Sequence, residues 1–171
     1  MPKTTGVPKY LLSLAGEFRV CSELNKRGVF ATITYGNRKS VDIYAISDRH
    51  ECALRIEVKT SQKRNFVTRI GQKWKRPANN PNAPDFWVLF QVLRDPKGHF
   101  AERFFVLTHS EICKKQAVRN GAYRGRFSKL HHGKKPDIST GVDNILVKDL
   151  KEFENQWSKI VDDKRLKGSR S

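Results

Sequence analysis

The sequence predicts an α/β fold of the mixed α+β kind, one sheet with helices packed on it. Three observations carry this. An apolar stripe of helical period runs from Tyr10 to about Lys26. Apolar runs of strand length follow at 29–35, 40–46, 52–60, 85–93 and 102–108. Helical signals return at Thr108 and again from Asp149.

Each element has its own warrant. Gly28 ends the first helix. "VFATITY" reads as a strand, and Gly36-Asn37 as the turn after it. "SVDIYAI" and "CALRIEVKT" flank "SDRHE" as a hairpin. Residues 61–84 are polar, basic and then rich in Pro and Asn, which predicts loop. "DFWVLFQVL" is almost continuously apolar, as in a strand buried on both faces, with Trp87 and Phe90 in the core. "DPKGH" turns the chain into "ERFFVLT". Thr108 and Glu111 form a capping box for a helix through about Val118. Residues 119–144 lack periodicity. A last helix is expected over about 149–161, with Leu150, Phe153, Trp157 and Ile160 on one stripe. The expected organisation is one domain over 1–162 and a basic, disordered tail over 163–171.

Charge bounds the function. Lys and Arg total 34 against 17 Asp and Glu, a net charge of +17 over 171 residues. Such an excess calls for a polyanionic partner, nucleic acid first, although a ribosome-associated or membrane-surface protein shares the signature. No run of 18 apolar residues exists, so no membrane helix is expected. The N-terminus reads as mature protein. Cys21, Cys52 and Cys113 are widely spaced and suggest neither a disulfide framework nor a zinc pattern, which suits a reducing cytoplasm.

The hairpin carries the chemistry. A turn centred between Arg49 and His50 places Asp42 opposite Glu57 on one face, and Lys59 shares that face. The other face collects Val41, Ile43, Ala45, Leu54, Ile56 and Val58. Two opposed carboxylates repel unless a cation lies between them, and Mg²⁺ takes oxygen ligands, keeps waters and is completed by substrate phosphate. A lysine beside such a cation can orient water and offset phosphate charge. Glu17 falls in the apolar stripe of the first helix with Leu14, Cys21 and Leu24, where a carboxylate needs a partner. The alternative is an exposed ion pair joining Asp42 and Glu57 to Arg55 or Lys59, with Glu17 in a helix-edge salt bridge.

At these residues the chain resembles the PD-(D/E)xK nuclease superfamily, in the style of small archaeal Holliday-junction resolvases and restriction-type domains. That family's restriction-endonuclease-like core is helix, three-stranded meander, helix, strand. Its acids lie on the first helix and second strand, and (D/E)xK lies on the third. The matching positions are Glu17, Asp42 and Glu57-Val58-Lys59, within residues 10–60, with support from the strand at 85–93. Val41 stands where the family has Pro, and 61–84 show no helical pattern where the family has a helix. The resemblance implies a divalent-metal-dependent endonuclease hydrolysing DNA phosphodiester bonds. Asp42, Glu57 and the Val58 carbonyl would bind Mg²⁺, or Mn²⁺ in its place, Lys59 would position water, and Glu17 would support either. The runner-up is a nucleic-acid-binding or assembly protein that keeps the fold without cleaving.

Two basic segments complete the reading. Lys63, Arg64, Arg69, Lys73, Lys75 and Arg76 lie in 61–76 without an acid. Residues 112–136 hold Lys114, Lys115, Arg119, Arg124, Arg126, Lys129, Lys134 and Lys135, again without an acid. Phe66, Trp74, Tyr123 and Phe127 are interleaved as possible stacking platforms. A solvated surface is the plain alternative. Gln62 is a possible auxiliary to the site or a simple loop residue. His131 and His132 have no second pair at ligand spacing, and "GNRKS" lacks P-loop spacing. Cleavage of both strands would favour a homodimer, with the Trp157 helix or the 85–93 strand edge as its interface.

Overall fold

The structure is a computed structural model that describes residues 7–34, 41–47, 52–70, 80–136 and 142–167. Helix α1, Lys9–Lys26, ends where Gly28 takes a φ of 77°, a conformation glycine adopts without strain. Strands β1 (Phe30–Ile33), β2 (Ile43–Ile46) and β3 (Ala53–Ser61) form an antiparallel meander. Ile43 pairs with Ile56 and Ala45 with Leu54, the register expected from the sequence. Residues 36–37 and 48–51, where the turns were expected, lie outside the described residues.

Strand β5 (Phe86–Arg94) pairs parallel to β3, and β6 (Phe100–Thr108) pairs antiparallel to β5. The sheet order is therefore β1-β2-β3-β5-β6. This mixed five-stranded sheet with flanking helices is the expected fold class. Residues 86–92 are all buried, because both faces of β5 are covered. On one face, Val20 and Leu24 of α1 pack with Ile43, Ile56, Val88 and Val106. On the other, Trp87, Leu89, Phe105 and Leu107 meet Ile112 of helix α2, His109–Leu130. Thr108 caps α2 with the expected reciprocal bonds to Glu111.

The structure corrects several expectations. Part of the expected loop forms β4 (Asn65–Val67), which pairs with β7 (Asn144–Leu146) in a separate ribbon. Each strand turns a single large residue inward, Phe66 or Ile145, too few for an alternation to show. Helix α2 runs to Leu130, not Val118. Its buried residues are His109, Ile112 and Gln116, so the rest carries no apolar stripe and rests on the helix propensity of Ala, Arg and Lys.

The expected helix over 149–161 is two pieces. A 3-10 helix spans Val147–Phe153, and α3 spans only Ser158–Val161. Between them Asn155 has a φ of 55° and bonds the Phe104 carbonyl at 2.9 Å, carrying the chain past the edge strand β6. Leu150 and Phe153 thus serve one core face and Trp157 and Ile160 the other. Within the tail expected to be disordered over 163–171, Lys164–Lys167 form α4, with Leu166 buried and Arg165 bonded to Asp85 at 2.7 Å; residues 168–171 lie outside the described residues. The suggested dimer interfaces do not stand, since Trp157 is 4% exposed and β5 lies inside the sheet. Among the described residues, no helix is long and apolar enough to cross a membrane.

Candidate active site

The meander brings Asp42, Glu57, Val58 and Lys59 to one place because the register allows nothing else. Asp42 precedes β2, and its backbone N–H donates to the Ile56 carbonyl at 3.0 Å. Its carboxylate accepts the Val58 N–H at 2.7 Å. Asp42 thereby satisfies a β3 donor where the backbone pairing with β2 runs out.

Glu57 is 1% exposed. Lys59 Nζ donates to Glu57 Oε1 at 2.6 Å and to the Val58 carbonyl at 3.2 Å. The ammonium also stands 5.9 Å from the centroid of the Trp87 ring, a residue that pairs with Glu57 across β3 and β5. The Trp87 indole N–H in turn donates to His109 Nδ1 at 3.0 Å, which fixes that face of the ring. Sequence reading placed Trp87 in the core but missed this contact. Its only trace was an indole in a run that is otherwise mostly aliphatic and phenyl.

Glu17 comes from α1, across the sheet. Burial lifts its carboxyl above the usual carboxylate range, and the charges of Asp42 and Glu57 add to the lift. Ser13, whose hydroxyl donates to Glu17 Oε1 at 3.4 Å, and the Lys59 ammonium oppose it. All four candidate side chains therefore share one electrostatic field. Gly16 makes this approach possible: a Cβ there would overlap Thr60 Oγ1 and stand 3.0 Å from Thr60 Cβ. The missing side chain seats α1 directly on β3, one residue from Glu17 and one from Lys59.

The exposed ion-pair alternative fits these contacts poorly. Arg55 is engaged elsewhere, by Asp85 at 3.3 Å and the Pro81 carbonyl at 2.9 Å. The Glu57–Lys59 pair is real, but its acid is buried. A buried pair contributes less than apolar packing of similar size, so stability alone is a weak reason to place it there. Among the described residues, no group of three His, Cys, Asp or Glu side chains forms a ready-made metal cage. A cation here would lean on Asp42, Glu57 and a backbone carbonyl, completed by water and phosphate.

No protein-family model matches the sequence, and neither does any curated protein. Among solved structures, the chain is similar to a bacterial homing endonuclease, I-Ssp6803I, at 19% identity and a TM-score of 0.37, over 61% of this chain and 67% of that one. So slight a likeness assigns no residue a role, and the functional reading rests on the side chains.

The basic residues divide into several groups. Gln62, Lys63 and Arg64 are exposed in the turn from β3 to β4, directly after Lys59 and Ser61. Gln91 ties that turn down through the Lys63 carbonyl at 2.7 Å. Arg69 is exposed at a φ of 53°, with the Asp143 carboxylate nearby. Lys73, Trp74, Lys75 and Arg76 lie outside the described residues. Lys114, Arg124, Arg126 and Lys129 are exposed along α2. Lys115 is paired with Glu152, and Arg119 is half-buried. Phe66 is no stacking platform: it is 1% exposed and packs edge-on to Phe105. A cleft of about 410 Å³ between α2 and the 3-10 helix is lined by Lys115, Arg119 and Lys148 among others, and by none of the four candidate residues.

Proposed function

We propose that this protein is a divalent-metal-dependent endonuclease acting on DNA. One observation carries the reading: a buried glutamate and a lysine 2.6 Å apart, beside an aspartate held by their own strand, in the field of a third carboxyl from α1. The donor set fits a hard cation, since Asp42, Glu57 and the Val58 carbonyl offer only oxygen. When bound, Mg²⁺ or Mn²⁺ supplies Lewis-acid polarisation and a more acidic water.

The chain's own groups do the rest. Lys59 carries a compact ammonium that orients water and offsets charge on the attacked phosphate. Trp87 confines that ammonium from one side, and Glu57 holds it by a charge-assisted bond. Glu17 supports the metal or the water; burial and the charges of Asp42 and Glu57 raise its carboxyl in the metal-free protein, and a cation between those acids would reduce that lift. The exposed lysines and arginines after β3 and along α2 hold the backbone of the substrate.

A second reading, a binding or assembly protein, draws on the absence of a ready-made three-ligand cage among the described residues. Labelled duplex, junction, flap and single-stranded DNA, incubated with Mg²⁺, Mn²⁺ or EDTA, decide between them. Cleavage that EDTA abolishes is expected. Binding with no cleavage of any DNA in either metal would overturn the enzyme reading.

A further inference from the structure

Helix α2 is only half used by the fold. Its inward face is set by Ile112 and Gln116, the latter locked to Thr68 Oγ1 at 2.7 Å. From residue 117 to Leu130 no residue is buried. At about 1.5 Å per residue, that is roughly 20 Å of helix with no fully buried residue. Such a length is unstable alone, yet here it is stiffened from within. Tyr123 and Phe127 stand 6.2 Å apart, and Phe127 and His131 4.1 Å apart, one turn above another.

The charge on this half is of one sign. Residues 112–136 hold eight Lys and Arg and no acid. Lys115 finds Glu152 on the 3-10 helix, but Arg124, Arg126 and Lys129 stand exposed beyond the reach of that element. A helix of this kind repels itself; Val118 and Leu130 are exposed on it but stand far apart, with basic residues between them, so they form no continuous apolar face. Its charge is complementary to phosphate. Its width, about 10–12 Å, matches the major groove of B-form DNA at roughly 12 Å, and not the deep, narrow major groove of A-form RNA. The connection to the candidate site is covalent and packed: β3 leads from Lys59 into β4, and Thr68 after β4 bonds α2.

We propose that the outer half of α2 enters the major groove of duplex DNA, so that the substrate is a duplex, with Arg124, Arg126 and Lys129 on its phosphates. This rests on the DNA reading above and names the form of DNA.

The test is a binding titration in EDTA, where chemistry is silent. Three probes are compared: a plain duplex, a duplex whose major groove is filled by glucosylated 5-hydroxymethylcytosine, and a plain duplex carrying a minor-groove ligand such as netropsin. The expected result is at least tenfold weaker binding to the glucosylated duplex and less than twofold change with netropsin. In the Arg124→Ala/Arg126→Ala/Lys129→Ala variant, the log–log salt slope should fall by about 2–3, at roughly 0.9 per phosphate contact. Alanine favours helix, so unchanged circular dichroism and melting certify that the variant folds. Equal affinity for plain and glucosylated duplex, or an unchanged salt slope, overturns the groove assignment while leaving DNA binding intact. Preference for A-form RNA overturns it in favour of the other polymer. Failure to bind any DNA at low salt sinks both this inference and the function on which it rests.

Discussion

The seat of α1 on β3 is the contact on which the candidate site depends, and Gly16→Ala tests it. A Cβ at residue 16 would overlap Thr60 Oγ1 and stand 3.0 Å from Thr60 Cβ and 3.2 Å from Cγ2. Rotating Thr60 relieves the first clash only. The stiff β-branched side chain leaves its own Cβ in place, so the helix and strand must part by at least a few tenths of an ångström, at about 1–3 kcal/mol for overpacking. Glu17, the next residue, moves with the helix. A displacement approaching 1 Å at a catalytic group costs on the order of 100-fold in rate. The partner mutation separates packing from chemistry. Thr60 Oγ1 is buried without a hydrogen-bond partner, so Thr60→Ala removes an unsatisfied hydroxyl and should change stability little. In the double variant Thr60 Oγ1 and Cγ2 are gone but the Cβ at 3.0 Å remains, so Gly16→Ala should recover part, not all, of its lost stability and rate. Urea unfolding midpoints and single-turnover cleavage measure the cycle. Gly16→Ala at wild-type stability, or a double variant no better than the single, would refute this seating of α1.

Three further outcomes are expected. Lys59→Ala should lower the single-turnover rate by orders of magnitude while weakening DNA binding only modestly, and Lys59→Arg should rescue poorly because its planar fork does not replace a compact ammonium; wild-type cleavage by Lys59→Ala would move the site elsewhere. Mn²⁺ or Mg²⁺ should raise the melting temperature of the wild type and not of Asp42→Asn, read by scanning calorimetry; equal shifts would take Asp42 out of the metal site. The Arg103 guanidinium, bonded to Glu154 at 2.7 Å, holds that carboxyl below its usual range against a smaller opposing effect of burial. The pair's stabilisation, about 1 kcal/mol or less at this exposure, is therefore present above the ordinary glutamate pKa and lost as pH falls through the lowered one, so urea midpoints of wild type and Glu154→Gln should converge toward pH 3.

What could be read ahead of the structure was local. The pairing of β2 with β3 depends on a short turn and on strict alternation, so it was legible, and with it the grouping of Asp42, Glu57 and Lys59. The stripe expected on α1 was only partly right: Leu24 is buried, but Leu14 is exposed, and the packed face runs through Gly16, Val20, Glu23 and Leu24 with Glu17 half-buried at its edge. The contacts that refine the site cross long separations. Trp87 reaches Lys59 through a parallel pairing with β3 some thirty residues earlier, and no local pattern encodes which strand inserts beside which. Nothing local in the sequence marks Gly16, and only the approach of Thr60 gives it a purpose.

The outer half of α2 failed to show for the opposite reason. Periodicity reports burial, and that helix buries nothing beyond Gln116. The last apolar stripe was misleading because Leu150, Phe153, Trp157 and Ile160 are all core residues, yet the chain turns past β6 between the second and third of them and delivers the pairs to opposite faces. A stripe shows that residues are buried, not that they are buried together. Here Glu154 and Asn155, polar residues in the middle of the stripe, mark the crossing: one carboxylate grips Arg103 and the other residue takes a left-handed φ that a continuous helix would not allow.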